Sequence, residues 1–435
     1  MTPLLEAPPA APGQDLHRRY LVAERKIRLL SSLRETVALG AEADITPAQW
    51  RAIEAPLAAA EHRLLSLLHR AGERELGRLH DLPARRRFNA FLGDVEVAVS
   101  RALTFFDTFV DILSQRHLPE AGVLLRGCDE LAFDSLNKPH PALSTLARPL
   151  VFLDRGFGAS TLREGVALSG RTRNPLQTIQ IPYTKLREKH NLTSVVHEAG
   201  HSAMARLELN SALPAVVAGA LARAGGRPTL QNLFGLWTRE IGPDFWVFCN
   251  CGAAAASGVR EIVGLAPARV LAVSHTDPHP PPYLRVLLHF EWCRQQWGRG
   301  AWDDWERDWL SLYPVDAAPA RDQAVLVRAR RLLPVVAATL LRGRLRVLNG
   351  APLTSLFDWN TVAPTGIDQR VRDAATTGVL DLSGLSPCGQ LAVFRAVKDQ
   401  GAVADAALDR LMTRWLHHLA HRARVRHGWR GKEII

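Results

Sequence analysis

Apolar positions recur at helical spacing over most of the chain. Leu64, Leu65, Leu67 and Leu68 form one apolar face, and Leu103, Phe105, Phe106, Phe109, Val110 and Leu113 form another. Thr46-Pro47 reads as a helix start, with Thr as N-cap and Pro at the first helical position. Breaks at Pro83 and Pro119 divide the first part into long helices, which predicts an antiparallel bundle over residues 15–138. Residues 1–14, rich in Pro and Ala, are expected to be disordered.

The pattern changes between Pro139 and Pro182, where the chain becomes glycine-rich and extended. Gln177-Thr178-Ile179-Gln180-Ile181-Pro182 alternates polar and apolar residues, as a half-buried strand does, and Pro182 would end it and blunt its edge. Helical spacing returns after Arg285. Trp292, Trp297, Trp302, Trp305 and Trp309 fall close together, and at that density they are expected to pack the seam between the middle segment and the helical region after it. Residues 318–435 read as a second helical region, interrupted by a loop from Asn349 to Asp368. The fold class expected is mainly α (α+β), with one small β-sheet in the middle segment, residues 139–317. No fixed-period repeat is seen.

A length of 435 residues allows two or three domains with real cores, and 47% hydrophobic with 22% charged residues is ordinary for a globular protein. The longest apolar stretches, such as Val247 to Val259, are too short or interrupted for a membrane span, and the first residues do not read as a signal peptide. Five cysteines, an odd number, favour buried thiols in a reducing compartment, so a cytoplasmic location is expected. Cys249 and Cys251 alone do not make a structural zinc site. The net charge of +11 predicts loose association with polyanions, but no specific nucleic-acid motif is present. Its densest stretch, Arg422 to Lys432, reads as a solvated tail. His417, His418 and His421 share helical spacing without an adjacent acid, which suits a solvated face better than a metal site.

The chemistry concentrates in His197-Glu198-Ala199-Gly200-His201. Two histidines four apart lie one turn apart on one helix face. Both can bind one metal ion, and the adjacent glutamate can reach a water on it. Nothing charged except Glu198 interrupts Thr193 to Ala205, so the motif sits on a largely buried helix, with Thr193 or Ser194 as the expected N-cap. A catalytic zinc needs a third protein ligand and an open position. Glu240 and Asp244, spaced i, i+4, supply a candidate ligand and a carboxylate to orient a ligand imidazole. Gly242-Pro243 between them predicts a helix start or a kink there. Glu261 is the competing third ligand. The segment Ser274 to Arg285 reads as a stiff extended stretch around Pro280-Pro281-Pro282. It carries His275, His279, Tyr283 and Arg285 as candidate donors to a developing oxyanion.

The succession HEAGH, then E-x-x-x-D, then H-P-x-x-x-x-R resembles the gluzincin metallopeptidases, most closely the branch of the CAAX prenyl endopeptidases and the HtpX heat-shock protease. The resemblance covers about residues 175–290, and this chain departs from that branch in its Gly-Pro and in lacking membrane spans. It implies a zincin-like catalytic core. Zn2+ would be held by His197, His201 and Glu240, with Asp244 behind them, Glu198 as general base, and His279 and Arg285 as accessory groups. The substrate would be a peptide or protein, and Ile179, Gln180 and Ile181 would pair with it by strand addition. HEAGH also occurs in AAA-type membrane proteases, but the phosphate loop they require is absent. Two other classes fit the same residues: a non-catalytic zinc- or peptide-binding protein, and a polyanion-binding helical scaffold.

Overall fold

Thr46 opens the first long helix as the sequence predicts. Its hydroxyl accepts from the Gln49 backbone N–H while the Gln49 side chain accepts from the Thr46 N–H, and Pro47 follows at the first helical position. In the computed structural model, which describes residues 13–36, 45–156, 158–167 and 173–427, the chain is mainly helical with two small sheets. It forms two compact units. The stretch expected to be disordered at the N-terminus falls almost entirely outside the described residues; the basic stretch expected to be a solvated tail is instead helical from Arg422 to His427, with Ala423 buried, and its remainder lies outside them.

The first unit (1–122, 164–176 and 426–435) contains α1 (Gln14–Leu29), α2 (Pro47–Glu75) and α3 (Leu82–Ser114). Lys26 pairs with Glu96 and Arg19 with Asn89, so α1 and α3 run in the same direction. Arg34–Glu54 and His69–Glu24 show α2 running against α1. Ile27, Ile53, Leu68, Phe88 and Phe109 are fully buried and form the core of this up-down-up bundle.

The second unit (123–163 and 177–425) begins within α4 (Ala121–Leu136) and continues into a three-stranded sheet. The strands are β1 (Leu150–Asp154), β2 (Ser160–Leu162) and β3 (Thr178–Pro182), in the order β1-β3-β2. β1 runs parallel to β3, and β2 antiparallel to it with Thr161 opposite Ile179. The predicted strand is therefore present, but it is central. Both of its edges are occupied, and Ile179 and Ile181 are fully buried. Gln180 gives its amide to the Arg155 carbonyl and accepts from Ser160. This corrects the expectation that Ile179, Gln180 and Ile181 offer an edge to substrate. The outer edges belong to β1 and β2.

The helices that come next are α5 (Thr193–Arg206), α6 (Leu209–Arg223), α7 (Pro228–Cys251), α8 (Ala253–Ile262), α9 (Pro282–Trp297), α10 (Ala301–Leu312), α11 (Ala320–Arg342), α12 (Pro364–Thr377), α13 (Pro387–Asp399) and α14 (Asp405–His427). A two-stranded ribbon, Arg344–Leu345 with Ala351–Pro352, follows α11. Three local expectations are corrected. No helix starts at Pro243, which lies inside α7. The proline run does not stay extended: Pro282 opens α9, where its missing N–H costs nothing, so Tyr283 and Arg285 lie in a first helical turn. Neither Thr193 nor Ser194 caps α5. Both are already helical, and the Ser194 hydroxyl donates back to the Asn191 carbonyl.

Within the tryptophan cluster, Trp297 packs at the expected seam. Trp297 lies against Phe248 of α7 and Trp359 of the later loop, with ring centroids 5.3 and 5.8 Å away. All five cysteines are buried thiols. Among the described residues no helix is long and apolar enough to cross a membrane.

Candidate metal centre

Gly200 explains how the motif helix meets its neighbour. A Cβ there would stand 3.2 Å from the Pro243 backbone and from the Trp246 ring. Gly242 is matched by Met204 and Leu213, which a Cβ would meet at 3.0 and 3.3 Å. These two glycines let α5 and α7 approach closely, and the approach brings Glu240 to the two histidines. The Glu240 Oε2 lies 3.2 Å from His197 Nε2 and 3.7 Å from His201 Nε2. Donors bound at about 2.0–2.1 Å around a tetrahedral ion stand about 3.3 Å apart, so these spacings suit a shared metal. His197, Glu198 and His201 themselves offer donor atoms within 4.8 Å of one another.

Asp244, one turn beyond Glu240, is buried and holds His197 from behind, its Oδ1 2.9 Å from Nδ1. That contact turns Nε2 toward Glu240 and His201. Arg285 grips Asp244 with two bonds of 2.6 Å, through Nε and Nη2. Two of the three guanidinium nitrogens are engaged by this carboxylate, so Arg285 braces Asp244. His289, one turn further along α9, lies 2.8 Å from the Arg285 carbonyl and lines the same cavity. His279 is more exposed. Asp277 fixes its Nδ1 at 2.7 Å, and its Nε2 sits 3.5 Å from Glu240.

Charge follows from burial and pairing. The Asp244 carboxyl resists the cost of burial because Arg285 and His197 face it, and it is held well below the usual carboxylate range. His197 is opposed by burial, but Asp244 and Glu240 outweigh that and raise it to about 9. His201 is pushed down to about 4 by burial and the nearby His197 charge. His289 is likewise pushed down to about 4 by burial. The Glu198 carboxyl is raised, chiefly by burial.

These residues line one cavity of about 760 Å3. Glu261 does not join them. Its carboxylate binds His190 at 2.9 Å, Asn191 at 3.0 Å and Arg395 at 2.7 Å, which removes it as competitor for the third ligand. His275 is not in the lining, and the Tyr283 hydroxyl faces Arg330. His418 borders a separate cavity beside Arg414 and Arg422, with no carboxylate in its lining. The linear motif gave no sign of several cavity residues: Ser160 and Thr161 of β2, Arg163, Asn210, Arg239, His289, and the aliphatic group Val247, Ala255, Val259, Ile262 and Val263. Gln177 ties the strand to the motif helix, its amide donating to the Thr161 hydroxyl and to the Glu198 carbonyl. The pairing Arg285-x-x-x-His289 was readable as an i, i+4 contact, but the lining from separate elements had no sequence signal.

No family model matches the chain, and no curated protein or solved structure is significantly similar to it.

Proposed function

We propose that this chain is a zinc-dependent metallopeptidase of gluzincin type, acting on a peptide or protein. The observation that carries the reading is the convergence of His197, His201 and Glu240, with the buried Glu198 beside them at the wall of an open cavity. The donor set suits zinc, although other divalent first-row ions accept the same ligands. A bound zinc would act as Lewis acid and bring the pKa of its water toward neutrality.

The chain's own residues supply the rest. The Glu198 carboxyl is raised above its ordinary value by burial, and its place beside the two histidines suits it to act as general base. It takes the proton of the attacking water and passes it to the leaving amine. Asp244 holds the His197 ring, and Arg285 holds Asp244. His279, aimed by Asp277, stands at the exposed side, where its Nε2 can donate to the developing oxyanion. The outer side of β2 at Ser160 and Thr161, which lines the cavity, offers backbone groups to an extended substrate. Five buried thiols support a reducing, cytoplasmic setting.

The test is metal content and peptide hydrolysis on chelator-free protein, with Glu198→Gln, His197→Ala and Glu240→Ala variants. The expected result is about one zinc per chain, kept in Glu198→Gln with turnover abolished. Zinc should be lost in His197→Ala and weakened in Glu240→Ala. Full activity in Glu198→Gln, or no metal in the wild type, overturns the reading.

A further inference from the structure

The cavity has two chemically different ends, and two helices report their order independently. Along α7, Arg239 comes first, Glu240 and Asp244 next, and Val247 last, about 12 Å beyond Arg239 at helical rise. Along α5 the order is reversed. Its first turn, Thr193, packs against Gly258 of α8, whose Val259 lies in the aliphatic group, while His201 near its far end feels the charge of Arg163. One end is therefore aliphatic, built from Val247, Ala255, Val259, Ile262 and Val263. The other is polar and basic, built from Arg163, Asn210 and Arg239.

The lining contains three carboxylates, Glu198, Glu240 and Asp244, and all belong to the metal group between the two ends. Asp244 is engaged by Arg285 and His197, and Glu240 by the imidazoles. Arg239 is exposed and has no ion-pair partner among the described residues. An unopposed guanidinium in a cleft selects by charge complementarity and repels cations.

We infer that Arg239 is a specificity-determining residue. It recognises a carboxylate side chain on one flank of the bound segment, while an aliphatic side chain fills the opposite flank. The substrate class is thus a polypeptide segment pairing an acidic with an aliphatic residue across the reacting bond. This rests on the reading of the cleft as a polypeptide site.

The experiment separates the two readings by measuring binding and cleavage apart. Zinc-loaded full-length Glu198→Gln protein is titrated with fluorescein-labelled peptides. Each peptide carries one Leu and, a few residues to either side of it, Glu, Gln or Lys, and anisotropy gives the affinity. The same peptides are then offered to the wild type for cleavage. The Glu peptides should bind about fivefold more tightly than the Gln peptides, the gain expected of a solvent-accessible ion pair, and the Lys peptides most weakly. Arg239→Ala should remove the Glu advantage, and Arg239→Glu should reverse the order of Glu and Lys with zinc content unchanged. Equal affinity for Glu, Gln and Lys peptides overturns the role of Arg239. Selective binding without cleavage by the wild type leaves that role standing and overturns the peptidase. Absence of binding by any of the peptides overturns both.

Discussion

At the scale of single residues, the centre depends on one carboxylate that need not touch the metal. Asp244 is buried, orients His197 and neutralises Arg285. Asp244→Asn keeps the shape but removes the charge that fixes the imidazole, and it leaves the half-buried Arg285 without its counter-ion. Zinc affinity is expected to fall about 10- to 100-fold, the usual cost of losing such a supporting partner. Competition with a chromophoric chelator measures it. Unchanged affinity in a folded Asp244→Asn protein would show that His197 is oriented by something else. The same residue scale gives a pH dependence away from the metal group. Burial would raise the Glu261 carboxyl, but His190, Arg395 and Asn191 outweigh it and hold it well below its ordinary value of 4.5. A depressed carboxyl contributes stability that is present above the unfolded-state value and lost as pH falls through the folded-state value. Glu261→Gln should therefore lower the urea midpoint at neutral pH, and the gap to wild type should close as pH drops below about 4.5. A gap that stays constant down to acid pH would mean the pair contributes nothing.

Elements place these residues, and here the chain was partly legible. The motif helix was readable because its spacing is local: His197 and His201 share a face whatever else folds around them. Thr46-Pro47 was readable for the same reason, since a capping box is written within four residues. What could not be read depends on contacts between distant segments. Whether Glu240 or Glu261 reaches the histidines is decided by the α5–α7 approach at Gly200 and Gly242. Which strand lies on the outside of the described sheet is decided by β2, three residues with little pattern of their own, pairing with β3. A helix start at Pro243 is not borne out because α7 continues across a residue that usually breaks a helix. The approach itself can be tested. Gly200→Ala puts a methyl group 3.2 Å from backbone at Pro243, where no side chain can swing away. The two helices must part by a few tenths of an ångström, at a cost of about 1–3 kcal/mol, and Glu240 moves off the histidines with them. Denaturant unfolding should show the loss, and metal content should fall in parallel. Full stability with full metal content would mean the helices have slack there.

For the whole molecule, the donors His197, His201 and Glu240 all belong to the second compact unit, while the three-helix bundle around Phe88 and Phe109 is the core of the first. An ion that binds only the folded second unit stabilises that unit by mass action. The gain is about 2.7 kcal/mol when free zinc is a hundredfold above its dissociation constant. For a unit of this size that is a rise of roughly 4–5 °C in its transition. The bundle holds none of the proposed ligands and gains nothing directly. Calorimetry of the chelated and zinc-loaded chain should therefore show one component moving up and another staying in place. His197→Ala should abolish the movement, because it removes a ligand without touching the first unit. A zinc shift that survives in His197→Ala would place the ion elsewhere in the chain. A shift of the first unit's transition alone would mean that the ion acts outside the His197–His201–Glu240 group, whatever the geometry of that group allows.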